Sequence, residues 1–359
     1  MPEIRVAIVG VGNSASALVQ GTQYYKEAKE NESVPGLMHV NFGGYHIKDI
    51  KFVAAFDVNQ DKIGKDLSEA IFTRPNCATK FATVPNLGIK VTAAPVLDGV
   101  AKHMEHPFHV YDDKKTKPAD VVDVLEKTKA EILLNYLPVG SHEAARFYAQ
   151  CAMDAGCAFI NCMPEFIGSD KAWAKKFEEK GLPVAGDDIK SQLGATILHR
   201  NLVRLCVDRG VAIDETYQLN LGGDTDFLNM TVEERLKTKR ISKTEAVTSM
   251  VPYDLPTRIG PSDYVPFLGN RKICYIFLKG RKFGDRPLTV TVKLEVEDSP
   301  NSAGVVIDII RAVKLALDRK IAGQLLSISS YAFKHPPIQV PDSLAKESVE
   351  EYIQGKKER

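Results

Sequence analysis

The sequence predicts an α/β protein in two parts: a parallel sheet wound with helices on both faces, and an inserted α+β unit. Three observations carry that reading. The chain opens on an apolar, β-branched run that breaks at glycine and resumes at helical spacing, IRVAIVGVGNSASALV over residues 4–19, which reads as strand, tight turn and helix. Between residues 118 and 208 buried strands alternate with helices, the mark of a parallel sheet. From Asp214 the grammar changes to ETYQLNL (215–221), ICYIFL (273–278) and LTVTVKLEV (288–296), partly alternating strands that suit an antiparallel or mixed sheet.

Each position of the opening turn has a task. Gly10 permits the tight turn, Gly12 lets backbone approach a pyrophosphate, and Ala15 allows close packing of helix on strand. This is the Rossmann-type arrangement for a dinucleotide, whose phosphates meet unpaired N–H groups at a helix N-terminus. Asn13 and Ser14 add side-chain donors there. The second strand, Lys51 to Asp57, ends in a carboxylate placed to accept from the adenosine ribose hydroxyls. With no arginine beside it to hold a further phosphate, Asp57 favours NAD over NADP. It falls beyond the usual gap of about 20 residues because Asn31 to Asp49, with Pro35, Gly36, Gly43 and Gly44, reads as an inserted loop or hairpin.

Composition is that of ordinary soluble globular material, 44% hydrophobic and 26% charged over 359 residues. A net charge of +1, from 47 basic and 46 acidic residues, calls for neither nucleic acid nor an anionic membrane. No apolar run approaches the roughly 18 residues that span a bilayer, and the first segment is a strand rather than a signal peptide. The six cysteines form no CxxC pair and read as buried thiols of a reducing cytoplasm.

Along the chain, a helix is expected from Asp61 to Phe72, a bend or short helix at Pro95–Val100 that brings Asp98 beside the cofactor, and a helix from Pro118 to Ala130. Strands end at Asn135-Tyr136-Leu137-Pro138, Asn161 and Asp187-Asp188, with Ser141 opening a helix to Ala155. Ligands bind beyond the carboxyl ends of such strands, so Asn135, Pro138, Ser141, Asn161, Asp187 and Asp188 suggest one shared cleft. GDDIKSQLGAT (186–196) opens a helix to about Asp208, with Ser191 placed to cap it. Lys190, Ser191 and Gln192 there form a second candidate anion site, suited to a phosphorylated substrate. The basic segment Thr231–Lys243 puts Lys239 and Lys243 on one helix face. A long helix follows from Asp298 to about Lys320, then an apolar segment leading to Lys334 and a charged C-terminal helix. The expected division is a nucleotide domain over 1–190, a catalytic and oligomerisation domain over 191–308, and a segment over 309–359 returning to the first.

Taken together, VAIVGVGNSASALVQG, NYLPVGSHEAA, NCMPEFI, GDDIKSQLGAT, QLNLGGDTDFLNM, KRISKTEAV, GPSDYVPFLGNRK, KLEVEDSPNSAGV and SYAFKHPP resemble the myo-inositol-1-phosphate synthases of the short bacterial and archaeal form. These segments cover most of the chain, and GDDIKSQ with EDSPNSAG is far more specific than the glycine turn. The resemblance implies conversion of D-glucose 6-phosphate to 1D-myo-inositol 3-phosphate, with NAD bound and regenerated, in a cytoplasmic homotetramer whose second-domain sheet supplies subunit contacts. It places Lys239, Lys243 and Lys334 on active-site lysine positions, with Lys239 and Lys334 at oxygens on carbons 1 and 5 and Lys243 in substrate binding. Lys272 resembles a site lysine of the short form, Asp188 and Ser191 the site loop, and Asp298 an acid near the nicotinamide and a bound cation. The short form often uses a divalent ion, for which no coordination set can be read here. One departure is expected: Gly284-Asp285-Arg286-Pro287 lacks the lysine that the eukaryotic form carries two residues after a Gly-Asp, leaving Lys279 or Lys282 to replace it. The nucleotide domain alone would serve equally an NAD-dependent sugar-phosphate dehydrogenase with net redox change.

Overall fold

In the computed structural model, which describes residues 3–30 and 32–359, the opening run forms β1 (Ile4–Val9) and α1 (Asn13–Tyr24). Asn31, at the head of the expected insertion, lies outside the described residues. The rest of that insertion contains a small hairpin, β2 (Asn41–Phe42) with β3 (Tyr45–His46), and leads into β4 (Ile50–Asp57). α2 (Leu67–Ala70) is far shorter than the expected helix over 61–72, because Gly64 takes φ +83° and Asp66 starts the turn afresh by accepting from Ser68 N–H. The alternation continues through β5 (Val91–Ala93), α3 (Val121–Lys127), β6 (Ile132–Asn135), α4 (His142–Asp154), β7 (Ala158–Asn161), α5 (Lys171–Glu179) and β8 (Pro183–Gly186).

The inserted part follows as α6 (Ala195–Asp208), β9 (Ala212–Gly222), α7 (Thr225–Asn229), α8 (Lys237–Thr248), β10 (Thr257–Tyr264), β11 (Arg271–Lys282) and β12 (Arg286–Glu297). Its sheet runs β10-β9-β11-β12 and is mixed, with β9 and β10 parallel and the other pairs antiparallel. Sequence reading missed β10, whose Gly260 and Pro261 interrupt any strand pattern. The chain then returns with α9 (Asp298–Asp318), β13 (Gly323–Gln324), α10 (Leu326–Ala332) and α11 (Asp342–Ile353). α9 runs unbroken across the expected boundary at residue 309 and packs on the first sheet from Ala303 onward.

That first sheet is parallel throughout, in the order β13-β8-β7-β6-β1-β4-β5. Ile4, Val6 and Ile8 of β1 face α1 and α9, whereas Ala7 and Val9 face α3 and α4. Burial on both faces explains why β1 reads as a continuous apolar run rather than an alternating one. The second sheet buries only one face, with Ile213, Ile259, Cys274 and Ile276 against α6 and α8. Its other face carries Tyr217, Leu219 and Tyr275, all more than a third exposed. Beyond the carboxyl ends of β1 and β6, where strand order reverses, lies the crevice in which such folds bind ligands.

Candidate active site

One large cavity opens from this crevice and extends to the inserted part. At its nucleotide end Gly10 has φ +88°, and a Cβ there would lie 2.7 Å from Tyr136 O, whereas a Cβ at Gly12 would meet nothing within 4 Å. Backbone packing thus demands the first glycine, and the second leaves room for a ligand. α1 begins with no side-chain cap and no acid in its first turn. The N–H groups of Asn13, Ser14 and Ala15 precede the first helical bond, from Ser16 N–H to Gly12 O, and are the orphan donors of an anion site.

Asp57 lines the same end and accepts from the N–H groups of Val11, Val58 and Asn59, each at 2.8 Å. A carboxylate has about four acceptor positions, so Asp57 fixes the turn and keeps capacity for a ribose. Lys62, absent from the sequence reading, is buried beside it on the cavity wall, donating to Val11 O at 2.8 Å and Asn76 Oδ1 at 2.9 Å; burial lowers its pKa. The Asn13 carbonyl accepts from the N–H groups of Cys77 and Ala78, tying down the loop rather than standing free. Cys77 is exposed and Cys206 half-buried, so only four of the six free thiols are buried as expected.

Several strand-end residues shape the cleft without lining it. Asn135 donates to Asn161 Oδ1 at 2.8 Å, and Asn161 donates to Asp187 Oδ1 at 2.7 Å. Asp187 also accepts from the N–H groups of Ile167, Gly168 and Ser169 and from the Ser169 hydroxyl. This buried row clamps three strand ends together, and none of its members borders the cavity. Asp98 accepts from Glu143 and Ala144 N–H, both at 2.8 Å, and so caps α4 from a distance. The Ser141 hydroxyl accepts from Arg235. Of this group only Pro138 stands on the wall. Asn135, Ser141, Asn161, Asp187 and Asp98 thus bond to neighbouring protein groups and stand off the cavity wall.

The far end gathers Lys239 and Lys243 from α8, Lys272 from β11 and Lys334 from the loop after α10. Asp188, fully buried at φ +62°, accepts on Oδ1 from both Lys239 and Lys334, each at 2.9 Å, and on Oδ2 from the Ser242 hydroxyl. Burial alone would raise its pKa, but the two ammonium groups outweigh burial and hold it well below the usual carboxylate range. Lys239 is raised in turn, the pull of Asp188 overcoming burial. Lys334 is lowered to about 8, by burial first and then by Lys239 against the pull of Asp188. Lys272 donates to both oxygens of Asp298 at 2.9 Å.

The expected phosphate loop divides. Lys190 is buried and points away from the cavity to Ser330 O at 2.9 Å and Asp342 Oδ1 at 3.2 Å. Gln192 donates to Gly36 O and packs against Gly304 outside the cavity. Ser191 lines the cavity but does not cap α6, whose N-cap is Gly194 with no side-chain bond. A Cβ at Gly194 would sit 3.1 Å from Ser191 Oγ. The N–H groups of Ala195, Thr196 and Ile197 precede the first helical bond, Leu198 N–H to Gly194 O, and these residues line the cavity.

Register places the residues of the expected departure at Pro287. Pro287 pairs with Arg281 at the closed end of the β11–β12 hairpin, whereas Lys272 pairs with Val296 at the end beside the cavity. Lys279 is exposed and bonds Glu215, and Lys282 is at the hairpin end; the lysine that the hairpin contributes to the cavity is Lys272. Sequence reasoning also missed Asp224 and Asp226, which enter the wall from the first turn of α7, and Ser242. Their signal was present in GGDTDF and KRISK, as polar residues flanking those already chosen.

A family model described as myo-inositol-1-phosphate synthase matches residues 194–299. The inositol-3-phosphate synthase of Mycolicibacterium smegmatis is 55% identical over 360 residues, covering 98% of both chains. The chain belongs to the inositol-3-phosphate synthase family. That of Mycobacterium tuberculosis is 54% identical, covering 98% of this chain and 96% of its own. A solved myo-inositol-1-phosphate synthase-related protein from Thermotoga maritima superposes with a TM-score of 0.82 at 26% identity, covering 98% of each chain. Membership makes this protein an enzyme of the inositol-3-phosphate synthase class. Among the described residues no helix is long and apolar enough to cross a membrane.

Proposed function

We propose that the enzyme converts D-glucose 6-phosphate to 1D-myo-inositol 3-phosphate by oxidation at carbon 5, enolisation at carbon 6, aldol closure onto carbon 1 and reduction of the ring ketone. One observation carries the reading: two uncapped helix N-termini, of α1 and α6, open onto a single cavity walled by Lys239, Lys243, Lys272 and Lys334. That provides for a dinucleotide and a second phosphate beside a concentrated positive field.

The cradle at Gly12, the free N–H groups of α1 and the spare capacity of Asp57 fit NAD, which when bound supplies a hydride acceptor that later returns the hydride. The α6 N–H groups and Ser191 hold the substrate phosphate. Hydride removal, enolisation and closure each move charge onto a sugar oxygen. Lys239, kept charged by Asp188, stabilises that charge, a preorganised donor being worth roughly 3–4 kcal/mol in a dry site. Lys334, with its pKa lowered to about 8, carries a proton to and from an oxygen near neutrality. Asp188 and Ser242 hold both lysines in place. Among the cavity's acids, Asp298 gives both its oxygens to Lys272, so it is not offered as a cation ligand here. No step is assigned to a divalent cation.

The half-covered second sheet suits a homotetramer, with Tyr217 stacked on Phe277 at 5.0 Å on the open face ready to pack against another subunit. Incubation with glucose 6-phosphate and substoichiometric NAD tests the function. Inositol phosphate in excess of NAD, without accumulated NADH, is expected; NADH formed in step with product would make the protein a net dehydrogenase instead.

A further inference from the structure

The cations of the cavity are unevenly matched. Lys239 and Lys334 share Asp188, and Lys272 has Asp298. Lys243 is only 4% exposed, lines the cavity, and has no ion-pair partner among the described residues. It is faced by Lys239 from its own helix, Lys272 and Cys274 from β11, Lys334 from beyond α10, and Asp188, which is already shared. Burial and the three neighbouring lysines drive it well below the ordinary lysine range. The same cavity wall carries a site of the opposite need. α6 packs against α8, with Ala195 and Val247, one turn on from Lys243, in the same core. The first turn of α6 has neither a side-chain cap nor an acid, so its N–H groups lack an anion in the cavity in which Lys243 lacks a counter-charge.

We propose that Lys243 stands as a neutral amine in the unliganded cavity and takes a proton from solvent when an anionic phosphate group settles at the α6 N-terminus. The inference rests on the reading of that end as the substrate-phosphate site. The step is amine plus proton to ammonium, with no bond to carbon and no change of oxidation state. The arriving dianion supplies the charge that makes the ammonium affordable, and the ammonium tightens the hold on the dianion, so binding and proton uptake are linked. The pyrophosphate of a dinucleotide offers the same chemistry at α1, and the test separates the two.

The probe is sulfate, which does not titrate near neutrality, added to the full chain by calorimetry in two buffers of different ionisation enthalpy. At pH ~7.5 the enthalpies should differ in the sense of proton uptake on sulfate binding, while NAD alone gives no such difference. Lys243→Met, a near-isosteric change, should abolish the uptake and weaken sulfate about tenfold with the circular dichroism spectrum unchanged. Sulfate binding with equal enthalpy in both buffers would overturn the proposal and leave the phosphate site standing. Failure of both sulfate and glucose 6-phosphate to bind would remove the site as well. Uptake that follows NAD would give Lys243 to the cofactor and overturn the assignment.

Discussion

Replacing Asp188 by asparagine keeps the shape of the side chain and removes the charge that joins two lysines. Each ammonium lies 2.9 Å from Oδ1, an attraction of about 6 kcal/mol at an effective dielectric near 20. Desolvation offsets much of it, and breaking one side of a buried ion pair costs about 3–5 kcal/mol. Lys334 limits the loss, since with a pKa of about 8 it can shed its proton once Asp188 is neutral. The expected result is a drop of ~3 kcal/mol in urea-unfolding stability at pH 7 and loss of turnover, with NAD affinity within a few-fold of the wild type. The pH dependence follows from the sign of the shift. Folding lowers the Asp188 pKa, so its contribution is full above the unfolded value of about 4 and fades only as stronger acid protonates it. The wild-type contribution of Asp188 should therefore hold constant between pH 5 and 7 and fade in strong acid, whereas the variant, whose Lys334 sheds its proton, gains stability as the pH rises, so the deficit narrows toward pH 7. A stability loss below about 1 kcal/mol with normal turnover would refute the reasoning.

Three further outcomes are expected. Gly10→Ala forces a Cβ to within 2.7 Å of Tyr136 O at φ +88°; it should lose NAD binding by fluorescence titration and about 1–2 kcal/mol of stability. Lys190→Met should leave sulfate and substrate affinity unchanged while lowering stability by ~1–3 kcal/mol, because its bonds run to Ser330 and Asp342 rather than to the cavity. His39 lies between Asp308 and Glu350, one on each ring nitrogen, and burial that opposes its charge is outweighed by the two carboxylates, raising its pKa. Its stabilisation is complete below the unfolded value of about 6.5 and is lost as pH rises through the raised folded value. His39→Gln should therefore narrow its stability deficit in denaturation curves as the pH is raised above 7.

The nucleotide half was legible because its signals are local: β1, the glycine turn and α1 are consecutive, and burial on both faces makes each parallel strand a visible run. The lysine cavity was legible only through resemblance, since Lys239, Lys272 and Lys334 come from three distant elements and no spacing links them. Whether a polar side chain at a strand end faces a ligand or a neighbouring strand was not legible at all. Asn135, Asn161 and Asp187 have the residue types and positions of ligands, yet they bond to one another and to neighbouring backbone. Lys190 failed similarly, because its partner Asp342 is 152 residues away in sequence. Hairpin register, which sequence cannot fix without the turn, puts Lys272 at the cavity end and Lys279 and Lys282 toward the closed end.

The central claim is that an electron pair leaves the sugar and returns within one cavity. The most direct test is turnover of glucose 6-phosphate carrying deuterium at carbon 5, with NAD bound and a pool of unlabelled NADH added. Return of the same hydride leaves the deuterium on the inositol carbon that was carbon 5, with none in the pool. Deuterium in the free NADH, and protium on that carbon, would contradict the account.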